Sequence, residues 1–391
     1  MRCGYCYQSP KRLRSAAWST IRASLDLVLS GGRGDLGIGF SGGEPLLEFP
    51  LMRRAVAHVE KTCPAGRDAT YYVSTNGTLL TEEIIAFLEE HRFETQLSFD
   101  GVAAAQDLRG RGTFSSLDRL LDRLRTKHSD FYQRNVAIAL TVSPRNLEHL
   151  ADSVAYFLRK AARRIVIAPS IASDGDWGVE RIDELDAQFG RIFKSSLAHY
   201  RKTGEIPVQI LRGGEGAPVR ARTRWLMCGV GHGRGITVDV DGQVYGCSMF
   251  VGSYLKLDSP LLRGRVEGMR LGRIDDPGLA RRLTSFPAAV RRAGMFHRKD
   301  RKHSAYGRCG ECRYLARCFL CPASIGFVPG NDDPDRVSDL CCAFNMVSLK
   351  YGERFPAPQS PRDIARVPEG AVTLMQRWKA LAEAATDAGR A

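Results

Sequence analysis

A chain of 391 residues, 43% hydrophobic and 26% charged, is long enough for one large or two moderate domains with cores of their own and too apolar for large-scale disorder. It has no run of about 18 apolar residues, no secretory h-region and no Arg- and Ser-rich transit pattern, so a cytoplasmic location without a membrane partner is expected. The net charge of +14 is mostly an arginine excess that peaks between Arg263 and Lys302 with little aromatic interleaving; this favours an acidic peptide partner or a plain solvated face over nucleic acid.

In chain order, the first half alternates β-branched apolar runs with amphipathic stretches, the pattern of βα units around a parallel sheet. Strands are predicted near Leu36–Phe40, Thr70–Ser74, Thr95–Phe99, Asn135–Val142 and Arg164–Ala168, with helices such as Glu82–His91, Ser116–Lys127 and Leu147–Ala161 between them. Each strand ends in polar or Gly-rich residues, at the carboxyl edge where α/β folds carry their chemistry. Beyond Ala172 a long helix, Val179–Thr203, precedes a Gly/Arg-rich link from Leu211 to Arg222. From Cys228 to about Phe344, Gly and Cys are dense and one hairpin stands out, Gly235–Cys247 turning at Asp241-Gly242. So little apolar core implies bound metal as a source of folding energy. The tail, Ala371–Ala385, reads as an amphipathic helix. The expected division is a first domain over 1–205, a linker over 206–225, a cysteine-rich domain over 226–345 and a tail over 346–391.

Eleven cysteines in a chain of this kind are not a secreted disulfide framework. Ten are clustered, and the isolated Cys63 reads as a buried free thiol. Cys3-Gly4-Tyr5-Cys6 opens the chain, and Ser41-Gly42-Gly43-Glu44-Pro45 follows the first predicted strand. Alone, the first fits redox, zinc or chance, and the second a turn. They are followed in order by Ser74-Thr75-Asn76-Gly77-Thr78-Leu79-Leu80-Thr81, by Ser98-Phe99-Asp100-Gly101 and by Gly112-Thr113-Phe114. The five together resemble the radical S-adenosylmethionine (SAM) family, whose cluster loop reads C-x3-C-x2-C with an aromatic before the last cysteine and is followed after the next strand by Gly-Gly-Glu-Pro. The fold this resemblance implies is α/β: a partial (βα)6-type barrel, its first strand missing in this chain, followed by a small cysteine-rich α+β domain.

The resemblance also implies roles. Cys3 and Cys6 would be ligands of a 4Fe-4S cluster with one iron open to the amine and carboxylate of SAM. Electron transfer into the sulfonium then frees a 5′-deoxyadenosyl radical. Gly42, Gly43 and Glu44 would meet the SAM ammonium; Ser98 and Arg109, or Arg111 in its stead, would hold the carboxylate. Asp100 and Ser74 are candidates for the nucleoside and Tyr5 for stacking on adenine. For each Ser or Asp, a satisfied turn or cap is the plainer alternative. The family's first cysteine would fall two residues before Met1, so a late start or a fragment is expected, with an inactive remnant as the alternative.

The second constellation is stronger by spacing alone. Cys228 is followed by thirteen residues, Gly242, four residues and Cys247; then come Cys309-x2-Cys312-x5-Cys318-x2-Cys321 and the pair Cys341-Cys342. Two zinc sites compete for this set. The order resembles the SPASM extension of radical SAM enzymes, with one residue fewer between Cys318 and Cys321. That resemblance implies two auxiliary 4Fe-4S clusters: a nearer one on Cys228, Cys247 and Cys321, and an outer one on Cys309, Cys312, Cys318 and either Cys341 or Cys342.

The activity so implied is that of an oxidoreductase and peptide maturase. It would cleave SAM reductively, draw electrons from a donor such as a flavodoxin or ferredoxin, and crosslink or oxidise a side chain of a ribosomally made peptide or protein. An anaerobic sulfatase maturase forming formylglycine is an alternative, weakened because Ser248 stands where that reading wants a carboxylate; Asp239 and Asp241 nearby are explained by the hairpin turn. A non-catalytic cluster or zinc scaffold is the other. The arginines between Arg263 and Lys302 are an alternative docking surface for acidic peptide.

Overall fold

The computed structural model of the chain describes residues 1–8, 14–31, 36–212, 235–257, 259–292 and 298–356; Cys228, the link beyond residue 212 and the helix expected at Ala371–Ala385 lie outside them. Five parallel strands form one sheet in sequential order: β1 (Leu36–Phe40), β2 (Ala69–Thr75), β3 (Glu94–Ser98), β4 (Val136–Val142) and β5 (Ile165–Pro169). Helices α1 (Trp18–Ser30), α2 (Phe49–Thr62), α3 (Glu82–Glu90), α4 (Ala103–Gly110), α5 (Phe114–Lys127), α6 (Ser129–Asn135) and α7 (Leu150–Arg159) accompany them, and α8 (Ile182–Thr203) follows β5. The partial βα barrel expected from the sequence is therefore what folds.

The strands alternate strictly, and the alternation has a use. Val73 and Thr75, Thr95 and Leu97, Ile138, Leu140 and Val142 are buried under the helices, whose apolar stripes recur at helical spacing, as at Leu117, Leu120, Leu121 and Leu124 of α5. The register pairs Gly39 with Tyr72, Ser74 with Gln96, Ser98 with Ala139 and Thr141 with Ala168. These residues form the opposite face, which stays half-buried or exposed. Its side chains are mostly small or polar, so the inner face is open rather than packed.

Two boundaries differ from expectation. Val208 bridges Ile165 in parallel, so the first residues of the expected linker still belong to the barrel sheet. Helix α12 (Asp339–Arg354) crosses the expected end of the cysteine-rich domain and packs along α8. There Phe344 meets Phe189 edge-on at 5.6 Å, and Lys350 reaches Asp186 at 2.7 Å.

The cysteine-rich part has more apolar core than its composition suggests. The expected hairpin forms as β6 (Thr237–Val238) and β7 (Gln243–Tyr245), and β8 (Arg270–Arg273) adds to it as an unpredicted third strand. Helices α9 (Pro260–Met269), α10 (Leu279–Arg292) and α11 (Pro322–Gly326) and the short ladder of β9 (His303–Ser304) with β10 (Gly307–Arg308) complete it. Val244, Phe250, Val266, Leu271, Phe286, Ile325 and Val337 share a second apolar core. Among the described residues no helix is long and apolar enough to cross a membrane.

Candidate functional site

Every barrel motif named from the sequence meets at the carboxyl edge of the sheet. After β1 the chain turns at Gly42, whose φ of 148° suits glycine, and a Cβ at Gly42 or Gly43 would meet nothing within 4 Å. Glu44 closes that turn: one carboxylate oxygen accepts from Thr75 Oγ1 at 2.7 Å and Leu46 N at 3.2 Å, the other from Asn76 N at 2.8 Å. The first and second strand-end motifs are thereby joined, with the glycine backbone left open above them. Ser74 accepts from Gln96 Nε2 at 3.1 Å, on the same inner face as Ser98 and Thr141.

Asp100 is the best-held residue of the set. At 0% exposure it accepts from Arg109 Nη2 at 2.7 Å and Thr141 N at 3.0 Å with Oδ1, and from the Tyr5 hydroxyl with Oδ2. Its own amide donates to Gln106 Oε1 at 3.0 Å, and Gln106 donates on to Thr113 at 3.0 Å, tying two motifs together. The next residue, Gly101, passes so close to α7 that a Cβ there would lie 2.3 Å from Ser153 Cβ. Asp100, expected at the nucleoside, thus faces protein partners. Arg109 is 7% exposed, whereas Arg111 is exposed at the end of α4. Burial works most strongly on the Arg109 pKa and lowers it, but Asp100, Tyr5 and Cys3 together outweigh burial and raise it. Arg109 Nη2 also donates to Thr141 Oγ1 at 3.1 Å, and its buried Nε has no partner among the described residues.

Tyr5, expected on adenine, reaches down from the Cys3–Cys6 loop into this network. Burial, then the Asp100 charge, push its hydroxyl pKa far up, so it is a permanent donor. Gly4 N donates to Leu108 O at 2.8 Å, giving the loop a second tether to α4. Among the described residues Cys3 and Cys6 form no disulfide, and both are half-buried. Tyr7 leaves the loop in the other direction, edge-on to Phe327 at 5.6 Å and near Cys247, so the loop spans barrel and second core.

The cysteines of the second part divide by position. Cys309, Cys312, Cys318 and Cys342 line a single cavity of about 350 Å³, together with Ser304, Tyr306 and Met346. Cys341 does not line it: it is 6% exposed and lies near Cys321 instead. Adjacent helical residues point about 100° apart, so only one of the pair can face the cavity. Cys342 accepts a weak bond from Ser304 Oγ at 3.2 Å. Among the described residues, no three Cys, His, Asp or Glu side chains converge tightly enough to hold a single metal ion. A tetrahedral zinc site needs its sulfurs about 3.8 Å apart; four thiols around a cavity this size fit a larger, multi-iron group.

Sequence reading missed the support for this wall. Asp174, after β5 and 8% exposed, accepts from Ser338 Oγ at 2.7 Å and Leu340 N at 2.9 Å, so a barrel carboxylate caps the helix that carries Cys341 and Cys342. Trp177 Nε1 donates to the Tyr306 hydroxyl at 2.9 Å. A separation of more than 160 residues hides the first contact from any local pattern. Gln96 and Thr141 were missed too, although strand alternation with polar residues was the available signal.

Burial, reinforced by neighbouring cysteines, pushes the Cys309 and Cys318 thiols from 9.0 up to about 12, and burial raises Cys342 as well. Folded thiols that hold protons more tightly than unfolded ones stabilise the metal-free protein fully below pH 9.0, and that contribution is lost as pH climbs toward about 12. Ligated thiolates have already released their protons. Thermal melting of the metal-free protein should therefore fall more steeply above about pH 9 than that of the metal-loaded protein, with buried tyrosines contributing equally to both. Parallel declines would refute the assignment of these thiols as ligands.

Residues 1–157 match the Radical SAM superfamily. An uncharacterized protein of Methanocaldococcus jannaschii is 28% identical over 167 residues, which are 42% of this chain and 57% of that protein. A serine-type anaerobic sulfatase-maturating enzyme of Klebsiella pneumoniae is 24% identical over 293 residues, 71% of this chain and 69% of the relative. The solved structure of native anSMEcpe with bound AdoMet and Kp18Cys peptide superposes with a TM-score of 0.67 at 19% identity, covering 94% of this chain and 95% of that one; the likeness is one of fold. That match and the strand-end motifs, present in the expected order, identify residues 1–157 as a radical SAM domain.

Proposed function

We propose that the chain uses SAM-derived radical chemistry to modify a side chain of a ribosomally made peptide or protein. Bound together, a 4Fe-4S cluster and SAM supply a 5′-deoxyadenosyl radical that abstracts hydrogen. The chain's own part is to bind and orient. Cys3 and Cys6 hold the cluster; the bare backbone at Gly42 and Gly43 admits the methionine end of SAM; Glu44, fixed by Thr75 and Asn76, offers its remaining lone pairs to the ammonium. Arg109, with Ser98 beside it on the inner face, holds the carboxylate through its free Nε. Asp100 acts through Arg109 and Tyr5 rather than on the nucleoside.

Cys309, Cys312, Cys318 and Cys342 hold an outer cluster, and Cys247 and Cys321, with Cys228, a nearer one. The observation that carries this reading is the four-cysteine cavity, because a barrel that only cleaved SAM has no use for it. The peptide-bound fold of anSMEcpe, alike over both halves of this chain, supports a peptide substrate.

The test is anaerobic iron and sulfide quantification with EPR, plus 5′-deoxyadenosine release on reduction. It is made on this chain and on a form preceded by the cysteine that the family spacing expects. The extended form should hold about four more iron atoms and cleave SAM. Zinc in both forms, or iron without SAM cleavage, overturns the proposal in favour of a metal-stabilised scaffold. The Klebsiella pneumoniae relative favours a second reading, oxidation of a sulfatase serine or cysteine to formylglycine. Against it, Ser248 is exposed and carries no carboxylate, and Asp239 is buried, with Oδ1 held by Val240 N and Ser253 Oγ, both at 2.7 Å, although its Oδ2 has no partner among the described residues. Formylglycine in a sulfatase-derived peptide after turnover would decide for it.

A further inference from the structure

Two buried lysines three residues apart flank the outer cysteines, and among the described residues only one of them has a carboxylate. Lys302, 1% exposed, reaches Asp335 Oδ1 at 2.6 Å and Pro334 O at 2.9 Å. Lys299, 3% exposed, donates to two neutral carbonyls, Cys318 O at 3.3 Å and Ala316 O at 3.4 Å, and among the described residues forms no ion pair with a carboxylate. An ammonium taken out of water costs several kcal/mol unless an anion faces it. Long bonds to carbonyls do not meet that cost, and the bond to Cys318 O sets the ammonium beside a residue of the four-cysteine cavity.

We infer that Lys299 is the counter-cation of the iron-sulfur group held by Cys309, Cys312, Cys318 and Cys342, and that it raises that group's reduction potential. The inference rests on the outer-cluster assignment and goes beyond it. Four thiolates around a 4Fe-4S core leave a net negative charge, and one-electron reduction adds another. A fixed positive charge beside Cys309 and Cys318 favours the more negative, reduced state. Placed in a low-dielectric wall and screened from salt, Lys299 acts on the potential more strongly than any surface arginine of the same stretch. Its bond to the Cys318 carbonyl also fixes where the charge sits.

The experiment is an EPR-monitored redox titration of the anaerobically reconstituted chain. The wild-type protein is compared with Lys299→Met, which keeps the apolar stem, and Lys299→Arg, which keeps the charge. The outer-cluster signal is identified as the one absent in Cys309→Ala. Lys299→Met should shift the midpoint of that signal to lower potential with iron content unchanged, and Lys299→Arg should restore it toward wild type. An unchanged midpoint in Lys299→Met overturns the inference. So does a loss of the outer iron in that variant together with Lys299→Arg, which would mark a purely structural role. If no iron depends on Cys309, the outer-cluster assignment itself has failed.

Discussion

Replacing Cys309 and Cys318 together by alanine should strip about four iron atoms per chain and abolish one EPR signal, and Cys342→Ala should do the same while Cys341→Ala does not. The asymmetry within the pair is the sharp part. Both residues sit in the first turn of α12, whose N-terminus is fixed by Ser338 and Asp174, so the helix cannot rotate to exchange them. Cys342 faces the cavity, and Cys341 is turned toward Cys321. Cys309, Cys318 and Cys342 are only partly buried where they pack against the second core of Val244, Phe250, Val266 and their neighbours, so far-UV circular dichroism should be largely preserved. Equal iron in Cys341→Ala and Cys342→Ala, at either level, would sink the division of the cysteines.

How much of this was legible in the sequence depends on the range over which each feature is encoded. The five strands lie within two residues of their predicted ends because period-two alternation is local, and β1 has the predicted bounds. Two expected helices begin in single 3-10 turns, at Leu147 and Val179; the second keeps its expected end at Thr203, and the first stops at Arg159, short of Ala161. The second core escaped notice because it is assembled from short pieces: Val244, Met269, Leu279 and Ile325 come from four elements, none with a long apolar run. Helix α12 escaped for a different reason. It is buried on two sides, by α8 and by the cysteine-bearing wall, and so lacks the single stripe that marks a surface helix. The basic run from Arg263 to Lys302, read as solvated or as a docking face, holds three cations that fold inward: Arg265, Lys299 and Lys302. Charge alone does not tell a solvated lysine from one facing a cluster.

Within the candidate site, motif order located the strand ends but not the partners. Glu44, Ser98 and Arg109 were named from resemblance, and the geometry adds why they are held still: Glu44 spans the ends of β1 and β2, and Arg109 is clamped between Asp100 and Thr141. The roles of Asp100 and Tyr5 were not readable, because a hydroxyl 95 residues away in sequence is its partner. A turn or cap is the alternative for the Ser and Asp residues, but it is Glu44 that caps the turn after β1, with acceptor capacity left over.

That clamp leads to the largest stability effect expected in the barrel. Asp100→Ala leaves the Arg109 guanidinium buried without its counter-charge and takes the acceptor from Thr141 N and the Tyr5 hydroxyl, so a loss of about 3–5 kcal/mol is expected. Asp100→Asn keeps one acceptor but not the charge and should fall between Asp100→Ala and wild type. Tyr5→Phe removes one charge-assisted hydrogen bond and should cost only about 1.5–3 kcal/mol. Urea unfolding of the metal-free protein by far-UV circular dichroism orders the three; a loss below about 1 kcal/mol for Asp100→Ala would remove the clamp from the account. The same variants separate stability from site geometry. Because Tyr5 is the tie between the Cys3–Cys6 loop and the sheet, Tyr5→Phe in the extended form should release iron from that loop to a chelator faster than the unsubstituted extended form, while leaving iron at Cys309 and Cys342 untouched. Faster release from both sites would mean that Tyr5 supports the fold at large and has no special hold on the loop.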